Sequence, residues 1–168
     1  MEDMRVYIVN LSRYVSGEST GAWFSLPVSR EDVEERLHLS TSESEIAIHG
    51  TENVPFEVGE YLPLEELNRI YHLLEELPEG LVSVLRKFVW YLGSMDKVVQ
   101  AYENGQIVFY PSVESVEELA YRLIDELGVL GEIPDRLRFY IDYEAYARYF
   151  EIQHTIIDAV GGLFVIYT

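Results

Sequence analysis

Leu73-Leu74-Glu75-Glu76-Leu77-Pro78-Glu79-Gly80-Leu81 closes one amphipathic helix, turns at Pro78 and opens a second. Working back from it, Leu64, Leu67, Ile70, Tyr71, Leu74 and Leu77 recur at steps of three and four, which places them on one helical face. Glu65, Glu66, Glu75 and Glu76 fall on or beside the other face. Pro78 cannot continue the donor ladder but suits the first turn of a new helix. Beyond it Leu81, Leu85, Phe88, Val89 and Leu92 trace one face again. The pattern predicts a helical hairpin, Pro63 to Leu77 and Glu79 to Leu92, packed through leucines with carboxylates outside.

Around that hairpin the chain reads as α+β. Arg5 to Leu11 is rich in β-branched and aromatic residues and predicts a strand, with Ala22 to Leu26 as its antiparallel partner across a polar loop from Ser12 to Gly21. Ser29 with Asp32 resembles a capping box before a helix over Arg30 to Leu37. A polar turn over Ser40 to Glu45 then leads to a strand over Glu45 to His49. After the hairpin come a helix from Ser94 to about Tyr102, a turn at Asn104-Gly105 and a strand from Gln106 to Tyr110. Ser115 with Glu118 opens a helix that Gly128 stops, and Pro134 and Asp142 each precede a short helical stretch. Ile152 to Val160 and Leu163 to Tyr167 flank Gly161-Gly162 as a hairpin.

Composition narrows the function. The 168 residues are 48% hydrophobic and 13% aromatic, enough to bury a real core. No apolar run reaches membrane-span length, and Met1-Glu2-Asp3-Met4 lacks the basic region of a signal peptide, so a soluble cytoplasmic protein is expected. Without cysteine there is no thiolate metal site, disulfide or cysteine nucleophile. His38, His49, His72 and His154 stand at no metal-ligand spacing, and no phosphate loop, dinucleotide fingerprint or nucleophile elbow is present. No enzymatic activity, metal or cofactor is therefore expected.

Charge is the outlying feature. Thirty acidic residues face 12 basic ones, a formal net of −18. Residues 1–61 carry 12 acidic and 4 basic residues, 62–103 carry 7 and 4, and 104–168 carry 11 and 4, so the excess is spread along the chain. Such a balance opposes nucleic-acid binding, which needs cations to displace counterions from phosphate. Like charges three or four apart on a helix cost a few tenths of a kcal/mol each. At one charge per roughly 1.7 Å of duplex, 18 charges match about 31 Å of DNA. A carboxylate array standing in for phosphates is thus permitted. Solubility, a halophilic origin (Lys87 and Lys97 are the only lysines) and an acidic protein-interaction module with another basic partner compete with it.

Three ordered blocks resemble the ArdA antirestriction family. They are Val6-Tyr7-Ile8-Val9-Asn10-Leu11 with Tyr14, Gly17 and Gly21-Ala22-Trp23-Phe24; Glu66-Leu67-Asn68-Arg69 with Leu73-Leu74-Glu75-Glu76-Leu77-Pro78; and Leu130-Gly131-Glu132-Ile133-Pro134 with Tyr140-Ile141-Asp142-Tyr143-Glu144-Ala145-Tyr146. Gly80 departs from the pattern, where another acidic residue is expected. The resemblance implies an elongated chain of three small domains, 1–61, 62–103 and 104–168, the middle one carrying the antirestriction-like motif Leu73 to Pro78. It implies a curved homodimer, with no cofactor, whose acidic surface mimics bent DNA in the groove of type I restriction–modification enzymes and protects incoming mobile DNA. Candidate phosphate stand-ins are Glu31, Asp32, Glu34, Glu35, Glu65, Glu66, Glu75, Glu76, Glu79, Glu117, Glu118, Asp125 and Glu126.

Overall fold

The computed structural model describes residues 2–15, 17, 20–39 and 45–167. By internal packing the chain falls into two units, Met1–Arg86 and Lys87–Thr168. Each carries a three-stranded antiparallel sheet and helices, an α+β architecture.

In the first unit β1 (Arg5–Asn10) lies between β2 (Gly21–Ser25) and β3 (Ile46–Glu52). Arg5 pairs with Ser25 on one side and with Glu52 on the other, and the register to β3 shifts between Tyr7 and Ile8. Alternation buries Val6 and Ile8 completely. The predicted polar loop after β1 begins instead as a helical turn, α1 (Leu11–Val15). Buried Asn10 explains the correction: its Oδ1 accepts the Arg13 N–H at 3.4 Å, while its Nδ2 donates to the Leu37 carbonyl at 3.1 Å. A side-chain oxygen at that position satisfies an orphan donor of a helical first turn. The turn expected over Ser40 to Glu45 falls, save for Glu45, outside the described residues.

Ser29 caps α2 (Arg30–Arg36) by accepting the Asp32 N–H at 3.4 Å, and the helix buries Val33, with Leu37 buried just beyond it. The long α3 (Leu64–Glu75) buries Leu64, Leu67 and Leu74 as its periodicity requires. Asn68, on a flank of that face, makes two hydrogen bonds to one backbone unit: Val28 N–H donates to Oδ1 at 2.7 Å and Nδ2 donates to the Val28 carbonyl at 2.8 Å. This clasp ties α3 to the segment that joins β2 to α2. Leu77, just beyond the end of α3, is also buried.

The helix expected over Glu79 to Leu92 is not continuous. A turn at Ser83 and Val84 separates α4 (Glu79–Val82) from α5 (Leu85–Leu92). The Ser83 hydroxyl donates to the Gly80 carbonyl at 2.7 Å, and the Val84 N–H reaches only three residues back, to Leu81 O at 3.1 Å. A serine hydroxyl competing for helix carbonyls, beside a glycine that favours helix weakly, tightens and ends the turn. Leu81, Leu85 and Phe88 are buried all the same, because the leucine face survives the break.

The second unit holds α6 (Met95–Glu103), capped by Ser94, and a sheet ordered β4 (Ile107–Pro111), β6 (Gly162–Ile166), β5 (Thr155–Ala159). All five residues of central β6 are buried. Val113, Leu119, Leu123, Phe150, Leu163 and Val165 form a core cluster, and Phe164 meets Phe88 edge-on at 5.3 Å between ring centroids. An added Cβ on Gly162 would stand 2.2 Å from the Tyr110 carbonyl, so the strands can approach only with glycine there. The hairpin itself is as expected, but its first strand starts at Thr155, not Ile152. Residues 152 and 153 end α9 (Tyr143–Gln153), whose ladder closes with the His154 N–H on Phe150 O at 2.9 Å. α7 (Val116–Tyr121) passes into a π-helical turn, Arg122–Glu126, with Leu127 N–H bonded to Arg122 O, before Gly128 at φ +63° stops it. Pro134 precedes α8 (Asp135–Arg138), and Asp142 caps α9 through the Ala145 N–H at 2.9 Å.

Two outcomes test this packing. Leu74 is fully buried, so Leu74→Ala should cost about 2–5 kcal/mol in a urea melt; unchanged unfolding would remove it from the core. The hydroxyls of Tyr110 and Tyr167 meet at 2.6 Å, and burial followed by this hydrogen bond pushes the Tyr167 phenol above its ordinary 10.0. The folded state therefore holds that proton more tightly than the unfolded chain. Its contribution to stability is full below about pH 10 and is lost as pH rises further. Tyr167→Phe should flatten the alkaline fall in stability above about pH 10, read as melting temperature against pH.

Candidate functional site

Acidic helix surfaces are the candidate site. In the first unit, Glu31, Asp32, Glu34 and Glu35 lie on α2, and Glu65, Glu66 and Glu75 on α3. Glu76 caps the C-terminus of α3, and Glu79 opens α4 next to Pro78. In the second unit, Glu117 and Glu118 occupy the first turn of α7, and Asp125 and Glu126 the π-helical turn. Glu31, Asp32, Glu65, Glu66, Glu79, Glu117 and Glu118 sit in helical first turns, where the partial positive charge of the N-terminus offsets part of their mutual repulsion. The leucines Leu73, Leu74 and Leu77 of the central motif face inward or are half-buried, so Glu75, Glu76 and Pro78 form its exposed part.

Bonding to cations or other donors within the chain divides the thirteen acids into two groups. Glu34 pairs with Arg30 at 3.2 Å, Asp32 with Arg36 at 3.4 Å, Glu126 with Arg122 at 3.2 Å and Glu75 with His72 at 3.0 Å. Arg69 grips Glu66 with both a 2.9 Å and a 2.7 Å bond. Asp125 accepts from Arg138 at 2.8 Å and from the Tyr143 hydroxyl at 2.7 Å; that bond, ahead of burial, raises the Tyr143 phenol above its ordinary range. Glu118 turns back to accept the Glu114 N–H at 2.8 Å. The other six, Glu31, Glu35, Glu65, Glu76, Glu79 and Glu117, are exposed and bond to no cation among the described residues. An exposed carboxylate without an internal partner keeps its charge available to a cation from outside.

Tertiary structure also assembles carboxylates that helical spacing does not reveal. A concavity of about 750 Å³ in the second unit is lined by Glu114, Glu118 and Asp158, with Ser112 and the Gly161-Gly162 turn. Glu114 and Asp158 come from different elements, so no periodicity relates them. The arginine pairs, by contrast, were partly legible: Arg30–Glu34, Arg36–Asp32, Arg122–Glu126 and Arg148–Glu144 are four apart, and Arg69–Glu66 and Arg138–Asp135 three apart. No group of three or more His, Asp or Glu among the described residues is placed to hold a metal ion. No helix among them is long and apolar enough to cross a membrane.

A family model described as antirestriction protein (ArdA) matches residues 6–165, nearly the whole chain. The chain belongs to the ArdA family. No curated protein matches it. ArdA is a family of antirestriction proteins and not of enzymes, so membership implies an antirestriction function. The match spans both ArdA units, and with them every one of the thirteen acids.

The two groups of acids should differ in what they do for the fold. Asp125→Asn weakens a three-residue network and should lower stability by about 0.5–1.5 kcal/mol. Glu117→Gln, which breaks no bond, should change it by less than about 0.5 kcal/mol. Equal losses in denaturant melts would contradict the division.

Proposed function

We propose that this ArdA protein inhibits type I restriction–modification enzymes by presenting fixed carboxylates to the cations that line their DNA groove. The six exposed carboxylates without an internal cation carry this reading. Enzyme cations that hold phosphates do so largely without regard to base sequence. A carboxylate on a helix anchored by buried leucines satisfies them without presenting bases to read. Because the array is fixed before binding, little entropy is lost when it docks. The inhibitor therefore protects incoming mobile DNA from cleavage, and blocks modification as well, since both activities need the same groove.

The reading includes a homodimer acting in the cytoplasm, and a division of labour among residues 1–61, 62–103 and 104–168. All thirteen acids take part, with Glu31, Glu35, Glu65, Glu76, Glu79 and Glu117 contributing most. The seven partnered acids contribute less, because each must first give up its own cation or donor.

The test is displacement of labelled DNA from a type I methyltransferase core, titrated at several salt concentrations. Displacement should weaken steeply as salt rises, because exposed charge contacts are screened within about 8–10 Å at physiological ionic strength. Changing all six unpaired acids to glutamine should weaken displacement by about tenfold or more, and any single change by about twofold or less. Loss of inhibition from one substitution in a folded protein would refute distributed mimicry. No displacement at low salt would favour an acidic module for a different basic partner.

A further inference from the structure

Asn68 stands on α3 one turn beyond buried Leu64 and next to buried Leu67. Its side-chain oxygen accepts the Val28 N–H at 2.7 Å, and its side-chain nitrogen donates to the Val28 carbonyl at 2.8 Å, across 40 residues of sequence. A single planar amide thus answers both backbone groups of one residue. Reversing that amide would set donor against donor and acceptor against acceptor, so the network fixes its orientation. Aspartate has the same shape without the donor, and alanine has neither group.

Val28 is the residue before Ser29, the N-cap of α2. It is 4% exposed, and Val33, the fourth residue of α2, is fully buried. Those are the two positions of a hydrophobic staple, which fixes the angle at which a chain enters its helix. Ser29 continues the hold: its hydroxyl oxygen accepts the Asp32 N–H at 3.4 Å, and its carbonyl accepts the Val33 N–H at 3.1 Å. The backbone that Asn68 grips is therefore the backbone that aims α2. Glu31 and Glu35 leave that helix on one side, four residues apart. Glu65 lies in the first turn of α3, three residues before Asn68. All of these residues belong to the unit Met1–Arg86.

We infer that Asn68 is a positioning residue of the inhibitor: through Val28 it sets the direction of α2 against α3, and with it the spacing between the carboxylates of the two helices. Its part in inhibition rests on the proposed carboxylate array. Cations fixed in a groove meet fixed anions fully only at matching spacing, because the attraction falls with distance. Loss of the clasp therefore weakens binding without removing any charge. Asn68→Asp separates spacing from charge. It adds an acid to the surface, so inhibition by charge total would hold or improve. It also sets a carboxylate oxygen against the Val28 carbonyl, so inhibition by held spacing falls.

The chain has no cysteine, so a pair of spin labels can be placed through Glu35→Cys and His72→Cys, at one exposed position on each helix. Pulsed electron resonance on the full chain should give one narrow distance distribution, which Asn68→Asp and Asn68→Ala each shift or broaden. In the DNA-displacement titration, without labels, Asn68→Asp should weaken inhibition by about fivefold or more at a temperature where its melt shows it folded. If Asn68→Asp does not fold, Asn68→Ala takes its place and should lose inhibition likewise. Val6→Ala, which trims a fully buried residue of β1, is the control: it should lower the melting temperature and leave displacement as in the parent. Unchanged label distances in the folded variants would overturn the inference. So would parental displacement by those variants, or an equal loss in Val6→Ala. A parent protein that displaces no DNA would refute the carboxylate array and the role of Asn68 in inhibition with it, while the label distances would still decide whether Asn68 holds α2.

Discussion

Like-charge repulsion is the constraint under which everything else in this ArdA chain is arranged. A net charge of −18 on 168 residues works against compaction, and no disulfide is available to hold the chain together. The fold responds locally. Arginines are spent on neighbours within one helical turn, as with Arg30 and Glu34 or Arg69 and Glu66, and helix first turns hold carboxylates where the backbone favours them. The acids that remain unpaired stand on exposed positions, where water screens them.

What opposes the repulsion is apolar burial in two small sheets with helices. In the first unit Val6, Ile8, Val33, Leu67 and Leu74 are each fully buried; in the second Phe88, Leu119 and Val165 are. The Asn68 clasp on Val28 adds orientation to this burial. A pair of hydrogen bonds to a single peptide unit fixes both the position and the rotation of α3 beside the segment leading to α2. The acidic helices are thereby held as surfaces of a packed body. A disordered acidic tail of the same charge would have to be ordered on binding, with a corresponding entropy loss.

Much of the fold was legible because its signals are local. Ser29, Ser94, Ser115 and Asp142 each accept a backbone N–H three residues on, so four helix starts could be read from short polar motifs. Other features rest on contacts that a pattern does not carry. Asn10 reads as a strand residue, and its capping of α1 depends on where Leu37 lies. Ser83 reads as a neutral helical residue, and its bond to Gly80 splits the helix expected over Glu79 to Leu92. Ile152 has strand propensity, yet it completes α9 as an 83% exposed residue, because the helical ladder runs on to His154.

The sequence alone determined the acid excess, the α+β class, the leucine-faced helix that ends before Pro78 and the ordered blocks that resemble ArdA. These follow from side-chain period, capping chemistry and composition, all short-range properties of the chain. Tertiary structure added the partners that helical spacing does not reveal, because a carboxylate's partner can come from a distant element, as Arg138 reaches Asp125 and Arg5 reaches Glu52. It also decided that Glu114, Glu118 and Asp158 line one concavity. Charge is written in the residues, whereas its neutralisation depends on distances that exist only once the chain has folded.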